Sequence, residues 1–370
     1  MKKILLGTTA IAAAALYAQA AQAQITVSLG GYTEFFGAYY DDDVPGRTSR
    51  EFQLETEIVV RADGKADNGL LYGAKVELQN SSGANAGIVT DEASVYLGGT
   101  WGRIELGDFD GAADTLAIYA PLIGIEQLDG DAYDFLDVTS GGTRFGAQPF
   151  FGTIKAPDSG DSTKVMYLTP RFAGVQAGVS YATQNGNEGQ SVVGLKAQTT
   201  YRDFFEFGAN YTGTFAGFSV ALGATGSTAS GEDALGATEL EDFFAWQAGA
   251  QLGYAGFKFG GGYVDGDDFG AAVGTVAGDA KAWHVGASYT AGPFAVGLSY
   301  ADAEGAKGGF TTYTPDYKTY GGGFAYTLAP GFIVQADLMF VDEDVVSTVP
   351  GSLVQSNEGY VAVLSTRLNF

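Results

Sequence analysis

The sequence predicts an all-β chain, a 16-stranded antiparallel transmembrane β-barrel with short periplasmic turns and long external loops. Three observations carry this. Apolar residues recur with period two in segments of roughly 8 to 14 residues along the chain. The joins between segments alternate between tight turns and long acidic stretches, an asymmetry that a soluble barrel does not need. The last segment carries apolar residues at alternate positions up to the terminal aromatic, Phe370, where a soluble domain would fray into water.

The first element is an export signal. Lys2 and Lys3 precede an apolar stretch from Ile4 to Tyr17, and Ala21-Gln22-Ala23 supplies the small residues that a signal peptidase reads. Residues 1–23 are therefore expected to be cleaved, leaving a mature barrel over 24–370. A membrane-spanning helix would need ~20 apolar residues, more than this stretch offers. No second long apolar run follows, although 46% of residues are hydrophobic.

Composition narrows the class further. Cysteine is absent and histidine occurs once, at His284, so neither a disulfide scaffold nor a Cys/His zinc site has its ligands. The net charge of −24 excludes a nucleic-acid binder, which would need a basic footprint. The 56 glycines and 13% aromatics together suggest strands joined by turns.

The predicted strands run over 25–40, 50–62, 69–80, 91–99 and 103–109, followed by a long interruption over 110–162. Five hairpins follow: 163–170 with 172–183, 204–213 with 215–226, 242–253 with 255–265, 281–290 with 293–302, and 317–328 with 331–342. A lone last strand covers 358–370. Tight turns are expected at Pro170-Arg171, Gly213-Thr214, Gly253-Tyr254, Ala291-Gly292 and Ala329-Pro330. An even number of strands closes the sheet, and in hydrocarbon closure is mandatory because no water can satisfy an open edge.

Alternation separates two faces. In the second strand Phe52, Leu54, Ile58 and Val60 lie opposite Glu51, Gln53, Glu55, Glu57 and Arg61. The polar face of the whole set carries Glu34, Glu51, Glu55, Glu57, Lys75, Glu77, Glu92, Arg103, Glu105, Glu206, Lys258, Asp337 and Arg367. Burying so many charges dry would cost several kcal/mol each, so they must line water, with the apolar face against lipid. Aromatics beside the tight turns, among them Phe172, Phe215, Phe218, Tyr254, Phe257, Tyr289, Phe294, Tyr326 and Phe332, read as an interfacial girdle.

Together with the export signal and the strand rhythm, the stretch 98–109 (GGTWGRIELGDF), the hairpin 164–181 (KVMYLTPRFAGVQAGVSY) and Phe370 resemble the general porins of Gram-negative bacteria, above all those of alphaproteobacteria. The resemblance implies a trimer in the bacterial outer membrane that lets ions and small hydrophilic solutes diffuse through a water-filled channel. It also implies that the outer-membrane barrel assembly machinery reads Tyr360, Leu364, Leu368 and Phe370, and that the third loop, 110–162, folds into the pore.

That loop holds Asp110, Asp114, Glu126, Asp129, Asp131, Asp134, Asp137, Asp158 and Asp161 against Arg144 and Lys155 alone. Its apolar run, Leu116, Ile118, Tyr119, Leu122, Ile123 and Ile125, has no use in a purely solvated loop. Facing it, Arg61, Lys75, Arg103 and Arg367 are the expected wall bases, among Glu34, Glu55, Glu57, Glu77 and Glu105; each base has an ion pair with a neighbouring glutamate as its alternative. Acidic rings favour cations, so weak cation selectivity is expected.

Asp41-Asp42-Asp43, Asp265 to Asp268 and Asp342-Glu343-Asp344 are placed in external loops. There a solvated face is the commoner reading, and loosely bound Ca or Mg bridging to lipopolysaccharide the sharper one. No other cofactor is expected. A substrate-specific channel, a surface antigen and an outer-membrane hydrolase with His284 as base are the rival readings; one lone histidine argues against an enzyme.

Overall fold

A computed structural model of the chain describes residues 25–124, 155–190, 201–231, 239–269, 280–304, 313–347 and 355–370, apart from 44–45, 47, 81–86 and 187, together with 135, 139–140, 143–144 and 273–274. The expected signal, 1–23, lies outside the described residues. The barrel strands are β1 (Thr26–Asp42), β2 (Arg50–Lys65), β3 (Leu71–Asn80), β4 (Ile88–Gly99), β5 (Gly102–Asp108), β6 (Thr163–Leu168), β7 (Val175–Gln184) and β8 (Tyr201–Phe215). They continue with β9 (Phe218–Gly231), β10 (Phe243–Tyr254), β11 (Phe257–Asp267), β12 (Ala280–Ala291), β13 (Phe294–Glu304), β14 (Tyr313–Ala329), β15 (Phe332–Ser347) and β16 (Gln355–Asn369).

Each strand pairs antiparallel with the next, and β1 pairs with β16 from Tyr32 opposite Asn369 to Asp42 opposite Gly359. The result is a closed 16-stranded barrel. Phe370 seals the seam. Its backbone exchanges two 3.1 Å hydrogen bonds with Gly31, while its side chain, like those of Leu364 and Leu368, is exposed on the outside.

The turns lie one to three residues beyond their expected positions. Ala173-Gly174, Ala216-Gly217 and Ala255-Gly256 each have two positive φ angles, from 48° to 50° at alanine and from 86° to 89° at glycine. This is the type I′ geometry whose twist matches two antiparallel strands. Gly292-Pro293 and Pro330-Gly331 close the last two hairpins. Gly213 and Gly253, expected at turns, belong to strand ladders instead.

At the opposite rim, strands extend further than expected. Asp342, Glu343 and Asp344 pair with Glu358, Asn357 and Ser356, and Asp265 and Asp267 belong to β11. These acidic groups therefore stand on strand ends rather than in loops. Backbone pairing continues above the membrane, where water tolerates any side chain.

Outward positions are apolar, and two aromatics beside the tight turns are the most exposed, Phe172 by 82% and Phe215 by 79%. The inner face is less uniform than its alternation suggests. In the external half, Phe36, Ala38, Tyr40, Phe204, Phe243, Val264, Met339, Val341, Val361 and Val363 turn inward and are buried in one cluster with Phe135 of the third loop. Phe135 meets Phe36 edge-on, with ring centroids 6.2 Å apart. The inner face thus carries an apolar cluster in the external half beside the charged positions that alternation assigns to it.

Candidate functional site

The charged wall is built by β16 and β1 to β5, whose inward positions come into line through direct cross-strand register. Glu34 lies opposite Arg367 on one side and Glu55 on the other, and Arg61 lies opposite Lys75. Every predicted base has a carboxylate partner. Arg367 reaches Glu34 at 3.1 Å and lies 3.7 Å over the Tyr32 ring; Arg103 reaches Glu105 at 2.8 Å and lies 3.9 Å over Tyr96. Lys75 bridges Glu77, at 3.0 Å, and Glu92, while Arg61 approaches Glu77 only at 4.0 Å and is half exposed. Carboxylates still outnumber bases here, because Glu55, Glu57 and Asp91 form no ion pair among those described; Glu55 accepts the Tyr32 hydroxyl instead.

The third loop leaves β5 at Phe109 and turns through a single helical turn, α1 (Ala112–Thr115), inside the barrel. From there to Gly124 it runs along the inner face of β7 to β15. Ser180 accepts the Ala112 N–H at 2.9 Å, and Glu206 accepts the Ala113 N–H at 3.2 Å. Asn210 donates to the Leu116 carbonyl at 3.2 Å, Gln247 to Ala113 at 3.2 Å and Gln251 to Tyr119 at 2.8 Å. His284 Nδ1 accepts the Ala120 N–H at 3.3 Å. These bonds satisfy loop backbone groups that would otherwise be buried without partners.

Two wall residues clamp the beginning and the return of the loop. Glu206 also accepts the Ser159 N–H at 3.0 Å and the Ser159 hydroxyl at 2.5 Å. Lys164, which parity in a short strand did not single out, donates to the carbonyls of both Phe109 and Gly160. Gly111 and Gly124 end the docked stretch where side chains cannot fit: a Cβ would come within 1.7 Å of Glu206 and 1.8 Å of Asp337.

The wall beneath the loop is glycine. Gly223, Gly249, Gly260, Gly286, Gly297 and Gly323 stand at inward positions on six successive strands, β9 to β14. Gly223 pairs with Gly249, Gly260 with Gly286 and Gly297 with Gly323. The signal for this row was present as glycine at inward parity on successive hairpins, but a strand glycine reads equally as a bulge or a bend.

The predicted partnership between loop carboxylates and wall bases is not what forms among the described residues. Asp114 pairs with Lys155 of the same loop at 3.4 Å and accepts the Tyr119 hydroxyl at 2.6 Å. Enclosure in the barrel, with Asp114 and Asp161 beside it, lifts the Asp110 carboxyl to about 7, although that residue is exposed. The same enclosure, with Glu206 and Asp114 close by, lifts Asp158 to about 8. Glu126, Asp129, Asp131, Asp134 and Asp137 lie outside the described residues.

Two carboxylate triplets, Glu57 with Glu77 and Asp91, and Glu92 with Asp110 and Asp161, each bring one oxygen per residue within 4.8 Å of the others. Hard divalent cations take such oxygen sets. Of the predicted external acids, Asp41, Asp42, Asp43 and Asp342 gather differently, bordering with Glu358 a cleft of about 500 Å³ beside Tyr320, Phe340 and Tyr360.

A family model described as Gram-negative porin matches residues 7–345. A porin of Rhodobacter capsulatus is 29% identical over 97 residues, which are 26% of this chain and 31% of that porin, so the match spans about a third of this curated relative. Among solved structures, a variant of the Rhodopseudomonas blastica porin is 17% identical and aligns over 93% of this chain and all of its own, with a TM-score of 0.57. OmpT in its trimer form, an outer membrane protein of Vibrio cholerae, is 14% identical over 94% of this chain and 99% of its own, with a TM-score of 0.61. At such identities the solved structures speak for the fold. The family model covers most of the sequence, and the chain accordingly belongs to the Gram-negative porins, proteins of the bacterial outer membrane.

Proposed function

We propose that this porin forms a water-filled channel for passive diffusion of ions and small hydrophilic solutes, weakly selective for cations. The observation that carries the reading is the charged wall of β16 and β1 to β5, where carboxylates exceed the bases that neutralise them. A negative lining concentrates cations along the water path. Residues 110–162 act as the constriction, with Asp110 beside Glu92 of this wall. The reading as a channel rather than a hydrolase is supported by His284, whose Nδ1 is engaged by the Ala120 amide and whose side chain is buried.

The test is single-channel recording in a planar bilayer, with the reversal potential measured across a salt gradient. Stepwise conductance with a cation-signed potential is expected. Absence of steps would sink the channel, and an anion-signed potential would sink the selectivity.

The partners follow the same reading: outer-membrane lipid and lipopolysaccharide, with Ca or Mg held loosely at the acidic external rim, and a homotrimer like that named for OmpT. Tyr360, Leu364, Leu368 and Phe370 serve as the signal for the assembly machinery. Deleting Phe370 is expected to lower the yield of inserted barrel severalfold while leaving the reversal potential of the inserted fraction unchanged.

A further inference from the structure

The glycine row does more than admit a loop. At Gly249 an added Cβ would lie 1.7 Å from the Ile118 carbonyl oxygen, while the nearest barrel atom, the Gly261 oxygen, is 3.2 Å away. At Gly223 the three nearest atoms all belong to the loop, beginning with Ile118 Cγ1 at 2.9 Å. Gly286 would meet the Pro121 oxygen at 2.9 Å, and Gly297 would meet Ile123 Cγ1 at 2.8 Å. At these four positions the atom nearest to an added Cβ belongs to the loop, not to the barrel. None of the four has a φ that would require glycine.

Strand glycine carries a cost, since it packs nothing and loses more entropy on folding than other residues. Backbone strain does not explain the row, and the β-ladder does not need it. What the row provides is depth. Without side chains, the loop backbone lies directly on the wall, and its polar groups fall within reach of Asn210, Gln247, Gln251 and His284. Any side chain here would lift the loop toward the charged wall by about its own thickness, because packed interiors do not absorb extra atoms without shifting.

We infer that Gly223, Gly249, Gly286 and Gly297 set the calibre of the channel, by fixing how far the third loop stands from the wall behind it. The inference rests on the proposed diffusion function and assigns its size limit to residues that never touch the solute. They are positioning residues that act through the loop.

The chain has no cysteine, so a single Ile118→Cys reports on the seat without background. It is combined with Gly249→Val in the full-length, membrane-inserted protein and labelled with a hydrophilic maleimide. The control is Gly98→Ala, an inward glycine on the charged wall whose Cβ would have nothing nearer than 3.5 Å. Gly249→Val is expected to speed labelling about tenfold, as overpacking unseats the loop, and to lower single-channel conductance. Gly98→Ala is expected to change neither.

Wild-type labelling or wild-type conductance in a folded Gly249→Val barrel would overturn the inference, as would equal effects from Gly98→Ala. If Gly249→Val does not fold, Gly223→Ala, which adds one methyl against Ile118, is read by the same criteria. A wild-type protein that labels slowly but conducts nothing would count against the channel, while the labelling comparison still judges the seat.

Discussion

On β16 and β1 to β5 the inward positions include Glu34, Glu55, Glu77, Lys75, Arg103 and Arg367, whereas on β9 to β14 an inward row is glycine and carries the third loop. Both walls have the same strand geometry and the same alternation. They differ in side-chain volume and charge, and that difference decides what each wall bounds. Long charged side chains pair with one another within and across strands and keep water beside them. Bare backbone invites another backbone, provided that polar side chains around it satisfy the incoming amides and carbonyls. One half of the barrel thus lines the proposed path, and the other half shapes it from behind.

The sharpest way to break this division is Glu206→Ala. Glu206 holds the outgoing strand of the loop through Ala113 and the returning strand through Ser159. Hydrogen bonds to a charged group contribute ~1.5 to 3 kcal/mol each, so losing the carboxylate should free the docked segment. Limited proteolysis should then cut within 110–162 at least several times faster, and single-channel currents should become noisier. An unchanged digestion pattern would show that the glycine wall holds the loop without its clamp.

A smaller effect is expected from pH. Asp110 and Asp158 have values of about 7 and about 8 in the folded protein, above the ordinary 3.8. The folded state therefore binds more protons than the unfolded state in between, and stability falls as pH rises. The contribution is fully present below the ordinary carboxyl value and is lost as pH climbs through about 7 and about 8. Cation selectivity should move the other way, rising over the same interval as the carboxylates ionise. Reversal potential and loop proteolysis measured across this range check both signs, and a flat profile in both would remove these groups from the site.

The smallest effect tests the charged wall alone. Lys75→Met leaves Glu77 and Glu92 without their shared base, which should shift the reversal potential modestly toward cations and leave loop proteolysis unchanged. A change in proteolysis instead would mean that the two walls are mechanically coupled.

Much of this was legible in the primary structure. Period-two alternation placed all the strands and put Lys75, Arg103 and Glu206 on the inner face, because alternation is local and survives wherever one side meets lipid. Turn positions were less legible: Ala216-Gly217 and Ala255-Gly256 look no more turn-like than Gly213 or Gly253, which sit nearby in strands. The external ends of β11 and β15 were hidden for a related reason, since Asp267 and Asp344 have loop chemistry but strand pairing. The apolar inward positions such as Phe36 and Val361 were concealed by alternation itself, which reports that two faces differ without reporting what covers each.

Sequence alone determined the number of strands, the alternation of two faces along them and the need for closure, since these follow from a repeat carried inside every strand and from the absence of water in a bilayer. Tertiary structure decided the wall on which the loop lies and the distant carboxylates that Arg367 and Lys75 meet, Glu34 and Glu92. Ala113 and Glu206 are 93 residues apart, and Ala120 and His284 are 164 apart. Such pairs exist only once sixteen strands have closed in a single register, and no local pattern records where that closure brings them.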